Sequence, residues 1–594
     1  MEASQSTARE ILCLYAIEDK RGFEELSKHL YNLNGIRDIQ NTPPGKPPKQ
    51  EQSKLINQAK LIIMLISPDL LSSLREEAST ALKQAKEGNA ELIPILYKTV
   101  DLGGTDLAEL QLLPRNGEAL AQREGDNRNK AWKEIAQEIR KIWEALDAGS
   151  GTEEKEKTTV NAGQSDAHRS QQQEQDPTRP ATVFISSAGD AGKNREQLEL
   201  MLRLRGLKLW HRDSEDLPFL GIREKATERA VSELADAYLL YLTPEALKKP
   251  QLWPSEARAA LQRQESEPEF PIVLILQGVS RKRVQSALAK IDLEKLTSFI
   301  GSELEPEVSQ QEVVSGKLRS LARKILREAF RQRRVRAGEN HEIWIGLRTF
   351  VFGEGSPRLD LSVDARKLFL EDENRNVRRV TPVAEWRNLI VPALEDIEGL
   401  LAVLGLDSRG SLKVPIKAAL SLDYLFGFIF RSVRLEVRDE KEGQYWDSKG
   451  PQDDSTPLKY DESIQEGDPR TAIVAISISN NIENDLNLYM QRAENRINYS
   501  RFIHYWMPEG VDHTRGVRDG SHALAIARQI GRDLRRLRSQ GITHIHLFSS
   551  LPAGLAVLIG QQFNANVFGP ISLYDFFGDQ YHYVFTLNQQ EERL

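Results

Sequence analysis

A chain of 594 residues is too long for one hydrophobic core, and its length predicts three or four domains. The composition is globular, with 40% hydrophobic and 28% charged residues, and the net charge of −7 argues against broad non-specific DNA binding. A single cysteine, Cys13, excludes a disulfide framework and any cysteine-based zinc site. Because no apolar run reaches the ~18–20 residues that cross a bilayer and the N-terminus lacks a signal-peptide core, we expect a soluble, cytoplasmic protein.

Residues 1–147 alternate short apolar strands with amphipathic helices, which is typical of a parallel sheet covered on both faces. The strand segments read, in order, I-L-C-L-Y, L-I-I-M-L-I-S-P-D-L-L and L-I-P-I-L. This order resembles a bacterial TIR domain, and the resemblance implies a flavodoxin-like α/β fold.

Residues 148–180 are polar and aperiodic, so we interpret them as a flexible linker that cannot bury enough apolar area to fold. The strand pattern then repeats over residues 181–300, through T-V-F-I-S, L-K-L-W-H-R-D, A-Y-L-L-Y-L-T and P-I-V-L-I-L. This second copy also resembles a TIR domain, and more completely than the first. We therefore interpret the N-terminal half as a tandem TIR repeat.

The resemblance implies catalysis, because enzymatic TIR domains cleave the nicotinamide–ribose bond of NAD⁺ with one glutamate on the helix after the fourth strand. Nicotinamide leaves as a neutral group while the ribose gains oxocarbenium character, which a nearby carboxylate stabilises. In the segment W-P-S-E, Glu256 is the catalytic candidate and Trp253 an NAD-binding candidate. The alternatives are a glutamate that faces water and a tryptophan packed in the core. Ser186, at the end of the first strand, and Asp213, after the second, are further NAD-binding candidates, although loop aspartates also favour turns.

The first copy differs at the matching positions. Glu256 lies thirteen positions after Thr243, and the same count from Ser67 reaches Thr80. Glu77 falls three positions early, so only a local deletion would bring it into place. We therefore take Glu77 as the second catalytic candidate, interpret the first copy as degenerate, and hypothesise that it is a built-in assembly partner of the second.

Residues 301–338 are predicted to form a helical connector, with a helix over residues 311–334 that is basic on one face. Two interpretations stay open, a solvated connector and a nucleic-acid contact.

The stretch I-T-H-I-H-L-F-S-S-L-P-A-G-L-A-V-L-I-G, residues 542–560, predicts a strand, a turn of small residues and a helix that begins near Ala553. Backbone N–H groups at such a helix start favour an anion, and ligands of open α/β sheets lie at the carboxyl ends of the strands. An ordinary strand-to-helix connection without a ligand is the alternative.

Residues 339–594 resemble a SAVED domain, a cyclic-oligonucleotide sensor built from two fused CARF-like, Rossmann-type halves. The resemblance is carried by the H-L-F-S-S-L-P-A-G-L-A-V-L-I-G block, by Y-D-F-F-G-D-Q-Y-H-Y-V-F near the end, and by K-A-A-L-S-L-D-Y-L-F-G-F-I-F-R in the first half. The predicted ligand contacts are Ser549, Ser550, Leu551 and Pro552 in the second half, Lys417, Ala418 and Ala419 in the first, and Arg515 and Arg518 in a loop. The two arginines would bind phosphates through planar guanidinium groups, unless their loop is simply solvated.

Together the resemblances imply an anti-phage effector of the bacterial TIR–SAVED type. A nucleotidyltransferase or a type III CRISPR complex would make the messenger, with a cyclic tri- or tetra-adenylate expected. Its binding would drive oligomerisation or filament formation and activate cleavage of NAD⁺, the substrate, with no metal, membrane or direct DNA contact expected. The alternative is a catalytically inactive, ligand-gated TIR scaffold that recruits or regulates another effector.

Overall fold

The structure is a computed structural model of the whole chain. It describes residues 11–31, 33, 36–40, 48–103, 105, 107, 110–115, 117–150, 179–187, 192–214, 217, 223–249, 253–304, 311–338, 342–350, 359–372, 377–405, 411–438, 445–451, 457–508, 516–564 and 567–588. Most of the predicted linker and the candidate Arg515 lie outside these residues.

The strands are β1 (Ile11–Leu14), β2 (Ile36–Asp38), β3 (Leu61–Ile66), β4 (Glu91–Leu96), β5 (Thr182–Ser187), β6 (Lys208–Trp210), β7 (Ala237–Leu242), β8 (Ile272–Gln277), β9 (Ile300–Leu304), β10 (Ile343–Arg348), β11 (Leu361–Asp364), β12 (Leu370–Asp372), β13 (Val377–Arg378), β14 (Leu412–Lys417), β15 (Leu435–Arg438), β16 (Tyr445–Asp447), β17 (Lys459–Ile464), β18 (Thr471–Ser477), β19 (Arg501–Trp506), β20 (His544–Ser550), β21 (Ile571–Phe577) and β22 (Gln580–Leu587). The α-helices are α1 (Lys20–His29), α2 (Pro48–Gln58), α3 (Pro68–Ser73), α4 (Arg75–Lys86), α5 (Gly125–Ser150), α6 (Gly192–Leu204), α7 (Arg223–Arg229), α8 (Pro244–Lys248), α9 (Pro254–Ser266), α10 (Arg281–Ala289), α11 (Gln311–Ala337), α12 (Arg366–Phe369), α13 (Val383–Glu385), α14 (Val391–Val403), α15 (Leu420–Ile429), α16 (Glu483–Gln491), α17 (Gly520–Ser539) and α18 (Ala553–Gln562).

The chain divides into two compact units. The first contains residues 1–175, 210–234 and 253–266, and the second contains residues 176–209, 235–252 and 267–594.

The first unit is built on a four-stranded sheet in the order β2-β1-β3-β4, with all three strand pairs parallel. The strands β1 and β3 are buried along their whole length, which is the pattern of a parallel sheet covered on both faces. After β3, Ser67 accepts a hydrogen bond from the Leu70 N–H and Pro68 takes the first helical position, so α3 begins at once. The predicted α/β domain is therefore confirmed for the described part of residues 11–147. Its last helix, α5, continues past the predicted boundary at residue 147.

The second unit begins with a sheet in the order β6-β5-β7-β8-β9. The strands β7 and β8 are fully buried, and β8 pairs in parallel with both β7 and β9. Residues beyond the predicted boundary at position 300 thus complete this sheet.

The helix predicted over residues 311–334 is confirmed as α11, but it is not a solvated connector. Leu318, Ala322, Ile325 and Ala329 recur every three or four residues and are buried in the core of the unit. Most basic residues of α11, such as Arg323 and Lys324, lie on its exposed face, whereas Arg333 is buried and Arg336 pairs with the buried Asp236.

The described part of residues 342–588 contains two main sheets with the same internal order. The first is β11-β10-β14-β15-β16, and the second is β17-β19-β18-β20-β21-β22. Leaving out the edge strand β17, each sheet has three parallel pairs followed by one antiparallel pair. The strand β10 therefore corresponds to β18, β14 to β20, and the helices α14 and α15 to α17 and α18. This repeat confirms the predicted pair of Rossmann-type halves.

Among the described residues, no helix has the length and apolar character needed to cross a membrane. The same residues contain no cluster of three or more histidine, cysteine or acidic side chains that would hold a metal ion.

Candidate functional sites

The two candidate glutamates occupy the same place in their copies. Glu77 is the third residue of α4 and Glu256 is the third residue of α9. Each helix follows a short helix whose N-cap, Ser67 or Thr243, accepts a hydrogen bond from the backbone three residues later. The first copy has three fewer residues than the second between this N-cap and the start of the longer helix. This is the local deletion that the candidate role of Glu77 requires.

Both glutamates are buried at the first turn of their helices, with Glu77 7% exposed and Glu256 1% exposed. This burial contradicts the alternative in which Glu256 is a water-facing helix glutamate. Trp253, directly before α9, is also buried, as its core-packing alternative predicts. A carboxylate in such surroundings acts more strongly on a nearby cation than one in water.

The remaining NAD-binding candidates differ in exposure. Ser186 is buried near the carboxyl end of β5, where a ligand of an open α/β sheet is expected. The Asp213 side chain is 80% exposed and lies 2.8 Å from the Arg223 guanidinium. Because the Asp213 side chain is mostly exposed to water, its ion pair with Arg223 contributes little to the stability of the fold.

Within the first unit, Asp213 lines a cavity of about 330 Å³. Its walls come from two segments of the chain: Leu102, Gly103, Leu110, Gln111, Leu112, Pro114, Arg115 and Gly117 on one side, and Arg212, Asp213, Ser214 and Arg223 on the other. A hydrogen bond joins the same two segments, since Arg115 Nη1 donates to the Leu217 carbonyl at 2.7 Å, and outside the cavity Lys225 donates to the Ala85 carbonyl. The first copy therefore contacts the segment that contains Asp213.

The first copy also has a charged network that sequence reasoning missed. Lys98 Nζ lies 2.7 Å from Asp19 Oδ1 and 2.6 Å from Asp69 Oδ2, and the Ser67 hydroxyl donates to Asp19. Hydrogen bonds to these carboxylates raise the pKa of Lys98. Asp19 follows β1, Ser67 follows β3 and Lys98 follows β4, so the network fills the carboxyl edge of this sheet. The available signal was the presence of polar residues within five positions of the ends of three neighbouring strands.

In the sensor-like region, the candidate turns occupy equivalent positions of the two halves. Lys417 ends β14 and Ser550 ends β20, and Ala419 and Pro552 precede α15 and α18. The strand, turn and helix predicted over residues 542–560 are confirmed.

The two turns are brought together by close packing of α15 against α18. A Cβ atom on Gly427 would lie 2.1 Å from the Val557 carbonyl oxygen, and one on Gly560 would lie 2.3 Å from the Tyr424 carbonyl oxygen. Glycine at both positions therefore lets the helix backbones touch. Across the same contact, the Tyr424 hydroxyl lies 3.0 Å from Ser549 Oγ.

The two helix N-termini are satisfied differently. At α15, the Ala419 N–H donates to Thr349 Oγ1 at 2.8 Å, and the Ser421 N–H and hydroxyl donate to Asp575 at 3.1 and 2.6 Å. Pro552, at the start of α18, provides no side-chain cap. The N-terminus of α18 therefore lacks the side-chain hydrogen-bond partners that the N-terminus of α15 has.

Arg518 is exposed two residues before α17, and its backbone N–H donates to His522 Nδ1 at 3.1 Å. This position agrees with the solvated-loop alternative for Arg518.

A buried carboxyl group in α15 was not predicted. Asp423 is fully buried, and in the described part of the chain neither of its carboxyl oxygens has a hydrogen-bond partner. Burial, and then the negative charge of Asp575, raise the pKa of Asp423 well above its usual range. The equivalent residue of α18 is Ala556.

Comparison with protein families gives two matches. The family described as "TIR domain" matches residues 11–129, and the "SMODS-associated and fused to various effectors sensor domain", abbreviated SAVED, matches residues 402–588. The TIR match falls on the first copy, and a TIR assignment for residues 181–300 stays a prediction. No curated protein matches the chain.

Among solved structures, the chain is similar to the Acinetobacter baumannii Cap4 SAVED/CARF-domain containing receptor with the cyclic trinucleotide 2'3'3'-cAAA. The identity is 16%, the match covers 59% of this chain and 88% of that chain, and the TM-score is 0.35. The same receptor with 3'3'3'-cAAA gives 14% identity over 69% of this chain and 90% of that chain, with a TM-score of 0.35. The Moraxella osloensis Cap4 receptor gives 14% identity over 68% and 88%, with a TM-score of 0.32.

Proposed function

We propose that this chain, which joins a TIR domain to a SAVED sensor domain, is a cytoplasmic defence effector that cleaves NAD⁺ when a cyclic oligoadenylate binds. The observation that carries the catalytic part is the burial of Glu256 at the first turn of α9, next to Trp253. As nicotinamide leaves, positive charge develops on the ribose, and a carboxylate held out of water stabilises that charge.

The messenger would bind at the two turns that precede α15 and α18. The uncapped N-terminus of α18 offers backbone N–H groups to a phosphate, with the hydroxyls of Ser549 and Ser550 beside it. Lys417 places an ammonium group at the equivalent turn of the first half. Repeated phosphates of a cyclic tri- or tetra-adenylate suit a cleft built from two related turns.

Messenger binding would activate the enzyme through self-association. A head-to-tail contact that does not close into a ring generates a filament, in which one subunit can complete a site on the next. Within a chain, the contacts of Arg115 and Lys225 support a role for the first copy as a built-in partner of the segment that contains Asp213.

The test is to incubate the purified protein with NAD⁺ and a panel of cyclic oligonucleotides, and to measure free nicotinamide by chromatography and messenger binding by calorimetry. We expect nicotinamide release only with the oligoadenylate that binds. Binding without release at any protein concentration would instead support the inactive scaffold that regulates another effector. Release that is independent of the messenger would contradict gating by the SAVED domain.

A further inference from the structure

A buried ion pair in the second unit joins the sensor to the second α/β sheet. Arg205, directly after α6, is 1% exposed, and its Nε donates to Asp396 Oδ2 at 2.9 Å while its Nη1 donates to the Met201 carbonyl at 2.9 Å. Asp396 lies on α14 of the sensor and also accepts from Arg323 of α11. Ionic groups removed from water are maintained only where partners satisfy them, so this geometry is tightly specified.

Backbone hydrogen bonds connect the same two regions of the second unit. The Ala181 N–H donates to the Asp360 carbonyl and the Ser362 N–H donates to the Gly206 carbonyl, both at 2.8 Å. Gly206 has a φ of +82°, and a Cβ atom there would lie 2.7 Å from Leu361 Cβ. The turn after α6 therefore sits directly against the start of β11.

The two ends of α6 contact different parts of the second unit. Its thirteen residues span about 20 Å. At its N-terminal end, Arg195 donates to the Ser187 hydroxyl at the end of β5, next to the NAD-binding candidate Ser186. At its C-terminal end, Arg205 binds α14, which packs on α15, the helix that follows the Lys417 turn.

We propose that Arg205, through Asp396, is a positioning residue that transmits messenger binding at the α15 turn to the carboxyl end of β5. A displacement of α15 moves its neighbour α14, and the ion pair obliges α6 to follow because neither charge can be left alone in the core. This inference rests on the proposed function, and it specifies how the sensor regulates the second α/β domain.

The test is the double variant Arg205→Met/Asp396→Asn, which removes both charges and leaves side chains of similar size. A matched control is Arg336→Met/Asp236→Asn, because Arg336 Nη1 and Asp236 Oδ1 form another buried pair, 3.2 Å apart, before the amino end of β7. Both variants must first bind messenger with the wild-type Kd and show a cooperative unfolding transition.

We expect the Arg205/Asp396 variant to keep its basal NAD⁺ cleavage and to lose messenger stimulation by at least about tenfold, while the control keeps it. Hydrogen exchange gives a readout that needs no enzymatic activity: messenger should alter the exchange of residues 192–204 in the wild type and the control, but not in the variant. An unchanged exchange response in the variant would overturn the proposal. If the wild type shows that exchange response yet never releases nicotinamide, the proposed NAD⁺ cleavage is contradicted, while the proposed coupling through Arg205 and Asp396 is supported.

Discussion

The N-terminal part and the sensor region of the chain each contain two α/β sheets, and the two pairs of sheets differ in what their members share. The sensor halves keep glycine at the equivalent positions Gly427 and Gly560, where their helices touch, but divide the polar groups between Lys417 on one side and Ser550 on the other. The N-terminal copies keep a glutamate at the same helix position, yet only the first copy has a network like that of Lys98 among the described residues.

This difference indicates how each pair works. In the proposed function a single ligand is bound by both sensor halves, which then need close contact but not identical side chains. Two copies that each carry a glutamate are independent candidates for the same reaction, and the surroundings of that glutamate decide between them. In the first copy, the Lys98 ammonium group fixed between two carboxylates occupies the carboxyl ends of the strands, the edge where ligands of open α/β sheets bind.

We expect the largest effect from removing the candidate catalytic carboxylate, which compares the two N-terminal copies directly. We expect Glu256→Gln to reduce messenger-stimulated nicotinamide release by about 100-fold or more, because one charge next to the cationic transition state is removed without a change of shape. The matched variant is Glu77→Gln, at the same position of the first copy, and it should retain most of the activity. Both variants should bind messenger normally by calorimetry. The reverse ranking would make the first copy, which carries the TIR match, the enzyme.

The second effect tests whether the charged network of the first copy is structural. We expect Lys98→Met to lower the free energy of unfolding by about 2 kcal/mol, because the buried Asp19 carboxylate loses its cation; the value is below that of a fully buried pair since Lys98 is one-third exposed. The control is Lys49→Met, which breaks the exposed pair with Glu76 and should leave the denaturation midpoint unchanged. Equal midpoints for the two variants would show that the network does not stabilise the domain.

The third effect concerns the messenger site proposed at the turn before α18. We expect Ser550→Trp to weaken messenger binding by about tenfold or more, because the larger side chain fills the turn before α18. Ser539→Trp, at the exposed end of α17 in the same half, is the control for the tryptophan itself. Calorimetry decides the matter: a folded Ser550→Trp protein with wild-type affinity places the ligand elsewhere.

Local patterns in the sequence were sufficient for the elements that these predictions use. The β-branched run, the small-residue turn and the apolar helix around Ser549 and Ser550 each follow from neighbouring residues, and the structure has them where predicted. The correspondence between Glu77 and Glu256 was harder to predict, because counting positions from the N-cap assumed loops of equal length. Such a count cannot detect an insertion before a helix.

Contacts between distant residues could not be predicted in the same way. Asp19 and Lys98, or Asp423 and Asp575, are far apart in the chain and meet only because strand order brings them together. The burial of α11 was missed because its many arginines concealed the apolar stripe through Leu318 and Ile325. Periodicity on the apolar face, not overall charge, was the informative signal there.

The smallest effect concerns stability alone and distinguishes the two sensor halves at Asp423 and Ala556. Because the folded state raises the pKa of Asp423, folding favours the protonated acid. The stability that the protonated Asp423 gives to the fold is fully present below the ordinary aspartate pKa. It is lost as the pH rises through the raised pKa of the folded state. We expect Asp423→Asn, which is neutral at every pH, to unfold at a higher temperature than the wild type near pH 8 and at a similar one near pH 4. Calorimetric scans across this range measure the difference, with Asp461→Asn on the exposed strand β17 as the control. A wild-type protein whose unfolding temperature changes with pH in parallel with that of Asp423→Asn would mean that Asp423 does not take up a proton on folding.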